Sequence, residues 1–370
     1  MKRADGMLRW GALLALGWSL GWLAWPPVSP VAEKRNLEPW PAAPRSWDQC
    51  KDWPHAFDRA WGDRFPWRWA WIAFDADWRY YGLGLGRLPG PDGLQGVTVG
   101  QAGMLFLDQP DSYGVVTGSL ALSAERRRAW NGFVGAKAAL ARRHHAVLMV
   151  VLVPDMATVY ADRRPWGWQS RGPGVMDQWL AGLQPQPDTL VLDLRPALAK
   201  ARAACRPFFN GDIHWTPEGA AFGWEAILRA AHGRWPDRSL PPLRSAADWP
   251  WEPWDQPNAR GLWDLLGVWP SPAESGVRRP RLPMDYFQAI PRRAQFDGPL
   301  GRRTPWLFYH DSFGERLSAY IRLQGWTARF LRNSYGAPGQ ALDESAMRWA
   351  HPSVVVVELA ERSLAHDPPL

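Results

Sequence analysis

The chain has 370 residues, of which 46% are hydrophobic and 21% are charged. This composition is typical of a globular protein rather than a disordered chain, and the length allows one large domain or two ordinary ones. The formal net charge is +7, but the arginines are dispersed, with no long basic tail and no recognised nucleic-acid motif. We therefore expect no nucleic acid among the partners.

The N-terminus predicts export. Basic residues near the start flank a nearly uncharged run at 8–25, which at roughly 1.5 Å per helical residue is long enough to cross most of a bilayer. We interpret 1–25 as a signal anchor in the inner membrane, and the positive-inside rule then predicts a periplasmic location for the rest. The residues after Trp25 offer a poor cleavage site, so a cleaved signal and a secreted protein are the less favoured alternative.

Residues 26–60 are interpreted as a linker, because the Pro-rich, polar start of this segment is typical of a semi-rigid spacer. The two cysteines, Cys50 and Cys205, could form a disulfide in an oxidising compartment and so brace the segment that follows Cys205. Two unpaired buried thiols are the alternative, since the sequence gives no distance between them.

Residues 61–370 alternate between strand and helix patterns and predict one α/β domain. Nearly continuous apolar runs indicate strands buried on both faces at 146–153, 189–194 and 353–359, with a further short strand at 305–309. Helices are predicted at 123–144 with Ser123 as N-cap, from Thr216-Pro217 onward, and at 314–323. This alternation implies a parallel sheet flanked by helices, in which sites gather at the carboxyl ends of the strands.

A Trp- and Pro-rich insertion interrupts the periodicity at 235–291, with a short helix expected at 261–268. Segments of this length without regular structure are usually functional, so we interpret it as a cap over the site. The chain has 27 tryptophans in all. Exposed indole rings can stack on sugars, but a compositional bias that raises Trp, Arg and Ala together is an equally good explanation.

Two short clusters carry the groups that acyl transfer needs. Asp212 and His214 lie in one connection between elements, and Ser312 lies between a predicted strand and a predicted helix. A serine hydroxyl becomes a nucleophile when an imidazole takes its proton, and a carboxylate fixes the tautomer of that imidazole. Each residue alone also has an ordinary explanation: Ser312 as a helix N-cap, His214 as a core histidine and Asp212 as a turn former.

Other candidate sites are weaker. Glu218 and Glu315 could perform general acid and base chemistry, but nothing in the sequence links them. The remaining histidines and the two cysteines lack the spacing of a zinc site, and no glycine-rich phosphate loop is present, so we expect no metal and no cofactor.

Five blocks of sequence follow one another in an order that carries a family resemblance: 99–106, 153–156 with Tyr160, 212–220, 311–313, and 354–358 with Glu361-Arg362. The chain resembles the alginate O-acetyltransferase family of AlgJ and AlgX type, and the block at 212–220 is its most specific part. The resemblance implies an SGNH-hydrolase-like fold with Ser312 as nucleophile, His214 as base and acid, and Asp212 as orienting carboxylate. Two departures stand out: His310 and Met156 occupy positions where the family often has Gly and Lys.

The same resemblance implies transfer of acetyl groups to hydroxyls of an exported polysaccharide, with a membrane-bound O-acyltransferase as the donor partner. Tyr335 is the side-chain candidate for the oxyanion site or for a substrate contact, besides the Ser312 amide. Two alternatives stay open: a secreted carbohydrate esterase with the same three residues, and a non-catalytic polysaccharide-binding scaffold that would not need Ser312.

Overall fold

The computed structural model describes residues 39–44, 46, 51–57, 60, 87–89, 96–109, 112–254, 262, 277–281, 291–298, 305–333 and 341–369. The chain divides into two compact units, 1–85 with 266–271 and 86–265 with 272–370. The predicted anchor at 8–25 lies outside the described residues. Within the described part of the chain, no helix is both long enough and apolar enough to span a membrane.

The first unit contains a small aromatic cluster. Helix α1 (51–57) places Trp53 against Phe57, with the ring centroids 5.0 Å apart, and Trp40 lies 5.5 Å from Phe57. The Trp53 indole N–H donates to the Ala42 carbonyl at 2.9 Å. This part of the predicted linker therefore contains a helix.

The second unit is built on a six-stranded sheet. Its strand order is β5-β4-β11-β9-β10-β8, and all neighbours are parallel except the edge strand β8, which is antiparallel to β10. The strands are β4 (Val147–Val153), β5 (Thr189–Asp193), β8 (Arg293–Phe296), β9 (Trp306–His310), β10 (Ala328–Arg332) and β11 (Val354–Ala360). Two smaller antiparallel sheets join β1 (Arg87–Pro89), β2 (Gly96–Val99) and β3 (Leu105–Asp108), and β6 (Trp251–Pro253) with β7 (Arg278–Pro280).

Helices flank the large sheet as predicted. They are α2 (Ser112–Thr117), α3 (Ala124–Arg143), α4 (Met156–Val159), α5 (Val175–Leu180), α6 (Arg195–Ala204), α7 (Pro217–Arg234), α8 (Gly314–Leu323) and α9 (Glu344–Ala350). The Ser123 hydroxyl caps α3 by accepting from the Arg126 N–H at 3.1 Å, and Thr216 caps α7 in the same way through Gly219. The predicted starts of both helices are confirmed, because a side-chain acceptor satisfies an amide that the first turn leaves unpaired.

Burial follows position in the sheet. Every residue of β4, β9 and β11 is buried, as the apolar runs predict for central strands. The prediction of two-face burial is wrong for β5, which is only partly buried along its whole length. The reason is that β5 is an edge strand that pairs with β4 alone, and the apolar run does not reveal which strand lies at the edge.

Most of the described tryptophans belong to the core. The buried ones are Trp130, Trp168, Trp179, Trp215, Trp224, Trp235, Trp249, Trp306 and Trp326. Trp166 is the opposite case, with 82% of its surface exposed. A role in packing therefore accounts for most of the tryptophans in the described part of the chain.

Only parts of the insertion at 235–291 are described. They contain a 3₁₀ turn at Ala246–Asp248 and the two-stranded β6–β7 ribbon. Of the helix predicted at 261–268, only Leu262 is described, and its N–H donates to the Gly211 carbonyl at 2.8 Å. The insertion therefore contacts the loop that carries Asp212, and its interpretation as a cap stays a prediction.

Candidate active site

A continuous chain of contacts joins Asp212, His214 and Ser312. Asp212 Oδ1 accepts from the His214 backbone N–H at 3.0 Å and from His214 Nδ1 at 2.6 Å. His214 Nε2 lies 2.8 Å from Ser312 Oγ. With the ring proton on Nδ1 held by the carboxylate, Nε2 is free to accept the serine proton, which is the arrangement that activates a serine nucleophile.

The loop before α7 fixes the imidazole. An isolated bridge pairs Phe208 with Trp215, and the Thr216 N–H donates to the Pro207 carbonyl at 2.9 Å. Gly219 in the first turn of α7 allows this approach, because a Cβ there would lie 2.1 Å from the Pro207 oxygen. The close approach explains why a glycine follows Thr-Pro-Glu at this position.

Trp215 and Phe313 connect the two halves of the site. The buried Trp215 indole N–H donates to the Phe313 carbonyl at 3.0 Å, and the two rings meet edge to face with centroids 5.7 Å apart. The His214 ring also packs against Phe313, at 5.2 Å between centroids. Because the residue after His214 binds the residue after Ser312, the two segments are held together although they lie 98 residues apart in the sequence.

The Asp212 carboxylate is stabilised in its charged form. Burial is the largest influence and raises its pKa, but the hydrogen bonds from His214, the charge that His214 carries in its imidazolium form and a smaller contribution from the Arg316 charge leave the pKa of Asp212 below its usual value. Asp212 is therefore ionised at neutral pH, the state in which it can orient and stabilise an imidazolium.

The turn that carries Ser312 is held by two carboxyl groups. Asp311 accepts from the Phe313 N–H at 2.8 Å through Oδ1 and from the Ala360 N–H at 3.0 Å through Oδ2. Glu358 Oε2 accepts from the Asp311 and Gly314 N–H groups, both at 3.1 Å. Among the described residues the Ser312 amide has no such partner, so its N–H is available to donate to an oxyanion that forms beside Ser312 Oγ.

The comparisons with known proteins follow this geometry. The family model described as ALGX, an SGNH hydrolase-like domain of the acetyltransferase AlgX, matches residues 97–245. The resemblance to the AlgX type of this family is confirmed over that segment, which is less than half of the chain. The matched segment contains Asp212 and His214, whereas Ser312 lies beyond it. No curated protein sequence matches the chain.

Two solved structures share the overall α/β fold. The O-acetyltransferase domain of Pseudomonas putida AlgJ aligns with a TM-score of 0.50 and 19% sequence identity, over 75% of this chain and 94% of that one. Bacillus cereus PatB1 aligns with a TM-score of 0.53 and 10% identity, over 74% of this chain and 98% of that one. At these identities the alignments concern the fold alone.

One departure from the AlgJ and AlgX pattern has a local explanation. His310 is fully buried at the position where the family often has glycine, and burial lowers its pKa to about 4, so the ring is neutral. In this chain Gly314 leaves the space that His310 needs, because a Cβ on Gly314 would lie 2.4 Å from the His310 Cβ. The glycine at the start of α8 makes room for the histidine that ends β9.

The second departure, Met156, is not a surface residue. Only 4% of it is exposed, and it lines a small cavity with Phe106, Trp168, Ile213 and Arg362. Methionine is uncharged and can therefore be buried here without a partner, so an apolar side chain lines the cavity where the family often has a lysine.

Three further ionisable residues of the family-like blocks, Asp155, Glu361 and Arg362, have no role that the sequence predicts. Arg362 Nη2 lies 2.7 Å from Asp155 Oδ1, and Glu361 Oε2 accepts from the Asp155 N–H at 2.9 Å and the Thr158 hydroxyl at 2.6 Å. The Arg362 guanidinium lies 5.6 Å from the Phe313 ring centroid. This cluster therefore connects the ends of β4 and β11 to Phe313, the residue after Ser312. Its signal in the sequence is the position of Asp155, Glu361 and Arg362, which closely follow two strands predicted to be buried.

Of the remaining predicted residues, the structure describes Glu218, Glu315 and Cys205 but not Tyr335 or Cys50. Glu218 pairs with Arg278 at 2.5 Å and Glu315 pairs with Arg332 at 2.5 Å, so these carboxylates have different partners and do not form an acid–base pair. Tyr335 and Cys50 lie outside the described residues. Cys205 is a free thiol, so the structure contains no bridge at this residue. Burial raises the pKa of this thiol to about 12.

Glu358 should govern part of the pH dependence of stability. Burial, followed by the negative charge of Asp311, raises its pKa well above the usual value, so the folded protein keeps a proton that the unfolded chain releases above about pH 4.5. Stability therefore falls as pH rises from that point toward the folded pKa. Glu358→Gln keeps the shape and the acceptor but cannot ionise, and we expect its free energy of unfolding to fall less between pH 5 and 8, by up to about 1.4 kcal/mol per pH unit.

Urea unfolding at a series of pH values measures this difference. Glu125→Gln on the exposed start of α3 is the control, since that carboxylate is solvated. Parallel pH profiles for wild type and Glu358→Gln would contradict a protonated Glu358 beneath the nucleophile.

Proposed function

We propose that the protein is an O-acetyltransferase that moves acetyl groups to hydroxyls of an exported polysaccharide through an acyl-enzyme on Ser312. The observation that carries the proposal is the unbroken relay from Asp212 through His214 to Ser312, with contacts of 2.6 and 2.8 Å. The confirmed family resemblance supports acetyl as the group transferred.

The first half-reaction acylates the enzyme. Ser312 Oγ attacks the carbonyl carbon of an acetyl donor while His214 Nε2 takes the hydroxyl proton, and the Ser312 N–H donates to the oxyanion of the tetrahedral intermediate. The intermediate collapses with loss of the leaving group, to which His214 returns the proton. Asp212 stabilises the transient imidazolium throughout.

The second half-reaction regenerates the serine. His214 Nε2 takes the proton of a sugar hydroxyl, whose oxygen attacks the acetyl carbonyl carbon, and the same N–H stabilises the new oxyanion. Collapse breaks the bond to Ser312 Oγ, which recovers its proton from His214. Over the two steps one acetyl group is transferred from the donor to the sugar, and the enzyme neither gains nor loses a proton.

The setting of the reaction is part of the proposal. A membrane-bound O-acyltransferase would supply acetyl groups on the outer side of the inner membrane, and the N-terminal segment 1–25 would hold the protein beside it. The apolar run at 8–25 and its flanking basic residues are the reason for proposing this location. The catalytic unit would then work in the periplasm on polysaccharide passing through it.

One assay separates transfer from hydrolysis. The purified full chain is incubated with a chromogenic acetyl ester, with and without oligosaccharide acceptors, and both released acetate and acetylated sugar are measured. We expect acetylated sugar to accumulate and to increase with acceptor concentration. Release of acetate alone at every acceptor concentration would indicate an esterase, and no turnover of the ester together with binding of the sugar would indicate a scaffold.

A further inference from the structure

His310 is the last residue of β9 and lies two positions before the nucleophile. Its side chain is fully buried, and its ring packs edge to face against Phe330 with the centroids 5.5 Å apart. Burial lowers the pKa of His310 to about 4, so at neutral pH the ring carries a single proton. The relay from Asp212 to Ser312 does not include this ring, so a buried polar group beside the nucleophile needs another explanation.

The hydrogen bond of the His310 ring identifies its tautomer. Nδ1 lies 2.6 Å from the carbonyl oxygen of Asp311, whereas Nε2 is buried and has no partner among the described residues. A carbonyl oxygen only accepts hydrogen bonds, so the one ring proton is on Nδ1 and His310 is the donor. The ring therefore holds the Asp311 carbonyl from the buried side of the turn.

The Asp311 carbonyl and the Ser312 N–H belong to the same peptide unit. A trans peptide is planar, and its C=O and N–H bonds point in opposite directions. A donor that fixes the carbonyl therefore also fixes the direction of the N–H, which points away from His310. This N–H is the group that stabilises the oxyanion in the proposed mechanism.

The peptide units on either side are held by carboxyl groups. The Asp311 N–H donates to Glu358 Oε2 at 3.1 Å, and the Phe313 N–H donates to Asp311 Oδ1 at 2.8 Å. The unit between them, which joins Asp311 to Ser312, is held at its carbonyl by His310. Its N–H is thus directed by the turn without being occupied by any acceptor of the described chain.

We propose that His310 is a positioning residue for acyl transfer, which aims the Ser312 N–H at the oxyanion by holding the Asp311 carbonyl. This inference rests on the proposed function and adds a residue to its machinery. A donor stabilises the transition state most when it is already aimed at the place where negative charge develops. Without the ring donor the peptide could rotate toward other partners, and the N–H would lose its fixed direction.

The bond is a feature of this chain rather than of the AlgJ and AlgX pattern. The glycine that the family often has at position 310 has no side chain and cannot hold the carbonyl. Gly314 also contributes, because a Cβ there would lie 2.9 Å from His310 Nδ1 and would crowd the donor.

The kinetic test compares two substitutions of His310 in the full chain. His310→Leu is apolar and has no donor, whereas His310→Asn can place an amide N–H near the position of Nδ1. We expect kcat for acetyl transfer to an oligosaccharide to fall by about 10- to 100-fold in His310→Leu, with KM changed by less than about twofold, because the N–H acts on the transition state. His310→Asn should recover part of the loss.

The control is His232→Leu in the last turn of α7. It removes the same kind of bond, because His232 Nε2 lies 2.8 Å from the Pro241 carbonyl oxygen. This variant should keep wild-type kcat. Thermal unfolding of all the variants shows that each is folded under the assay conditions.

An inhibitor that mimics the oxyanion provides a readout that packing alone does not move. Methylboronic acid forms a tetrahedral, anionic adduct with an active serine. Its Ki should therefore rise in His310→Leu by about the factor by which kcat falls, and recover in part in His310→Asn. Wild-type kcat in a folded His310→Leu, an equal loss in both variants, or an unchanged Ki would overturn the inference.

Nuclear magnetic resonance of the wild-type chain with ¹⁵N-labelled histidine decides the case if His310→Leu does not fold. The signal is assigned by its loss in His310→Asn. We expect a neutral ring with its proton on Nδ1 from pH 5 to 8, and a proton on Nε2 or a ring that titrates in this range would overturn the inference. The proposed function is tested separately: it stands as long as wild type acetylates an acceptor and Ser312→Ala does not, whereas a wild type that acetylates no acceptor overturns both.

Discussion

Ser312→Ala should lower acetyl transfer by about 10⁴-fold or more, because the relay ends on the hydroxyl that this substitution removes. Fold stability should change little, since the turn is held by Asp311 and Glu358 rather than by the serine side chain. The measurement is the initial rate of sugar acetylation at saturating donor, with thermal unfolding recorded on the same samples.

Ser239→Ala, which changes an exposed serine in the segment after α7, is the matched control and should retain wild-type turnover. Substantial acetylation by a folded Ser312→Ala protein would mean that another group carries the acetyl, or that donor and acceptor react directly. Either result would remove the acyl-enzyme from the mechanism.

Asp212→Asn should lower kcat by about 10³- to 10⁴-fold while leaving the loop in place. An amide has nearly the same shape as the carboxylate, but it has no charge to stabilise the imidazolium and can donate to Nδ1, which favours the tautomer whose proton points at Ser312. The contact of 2.6 Å between Asp212 Oδ1 and His214 Nδ1 is the geometry that this change disturbs. Steady-state kinetics of transfer measure the effect.

The control for this substitution is Asp237→Asn, an exposed carboxylate after α7. Because the pKa of Asp212 is already below its usual value, protonation of Asp212 should not limit activity at mildly acidic pH. An Asp212→Asn enzyme with unchanged kcat would show that the carboxylate is structural and that the imidazole is oriented by something else.

Much of the fold could be predicted because its signals are local. The all-apolar runs of β4 and β11 can be satisfied only by strands covered on both faces, and Ser123 and Thr216 mark helix starts by capping chemistry that the sequence displays directly. The meeting of Asp212, His214 and Ser312 could be predicted for a related reason. They follow the pattern of functional residues in connections beside a parallel sheet, so residues a hundred positions apart could be expected to meet.

Features that depend on which strands are neighbours could not be predicted. The apolar pattern of β5 does not reveal that it is an edge strand. The sequence predicts only that Glu358 lies near the end of a strand, whereas the pairing of β11 with β9 places its carboxyl group against the amides of Asp311 and Gly314.

The most direct test of the account is to look for the covalent intermediate. The full chain is mixed briefly with an acetyl ester without acceptor, quenched in acid, digested and analysed by mass spectrometry. The account predicts one acetyl group on the peptide containing Ser312, its loss when an acceptor sugar is added before the quench, and its absence in Ser312→Ala. A turning-over enzyme with no acetyl group on Ser312, or with the same label retained in Ser312→Ala, would contradict it.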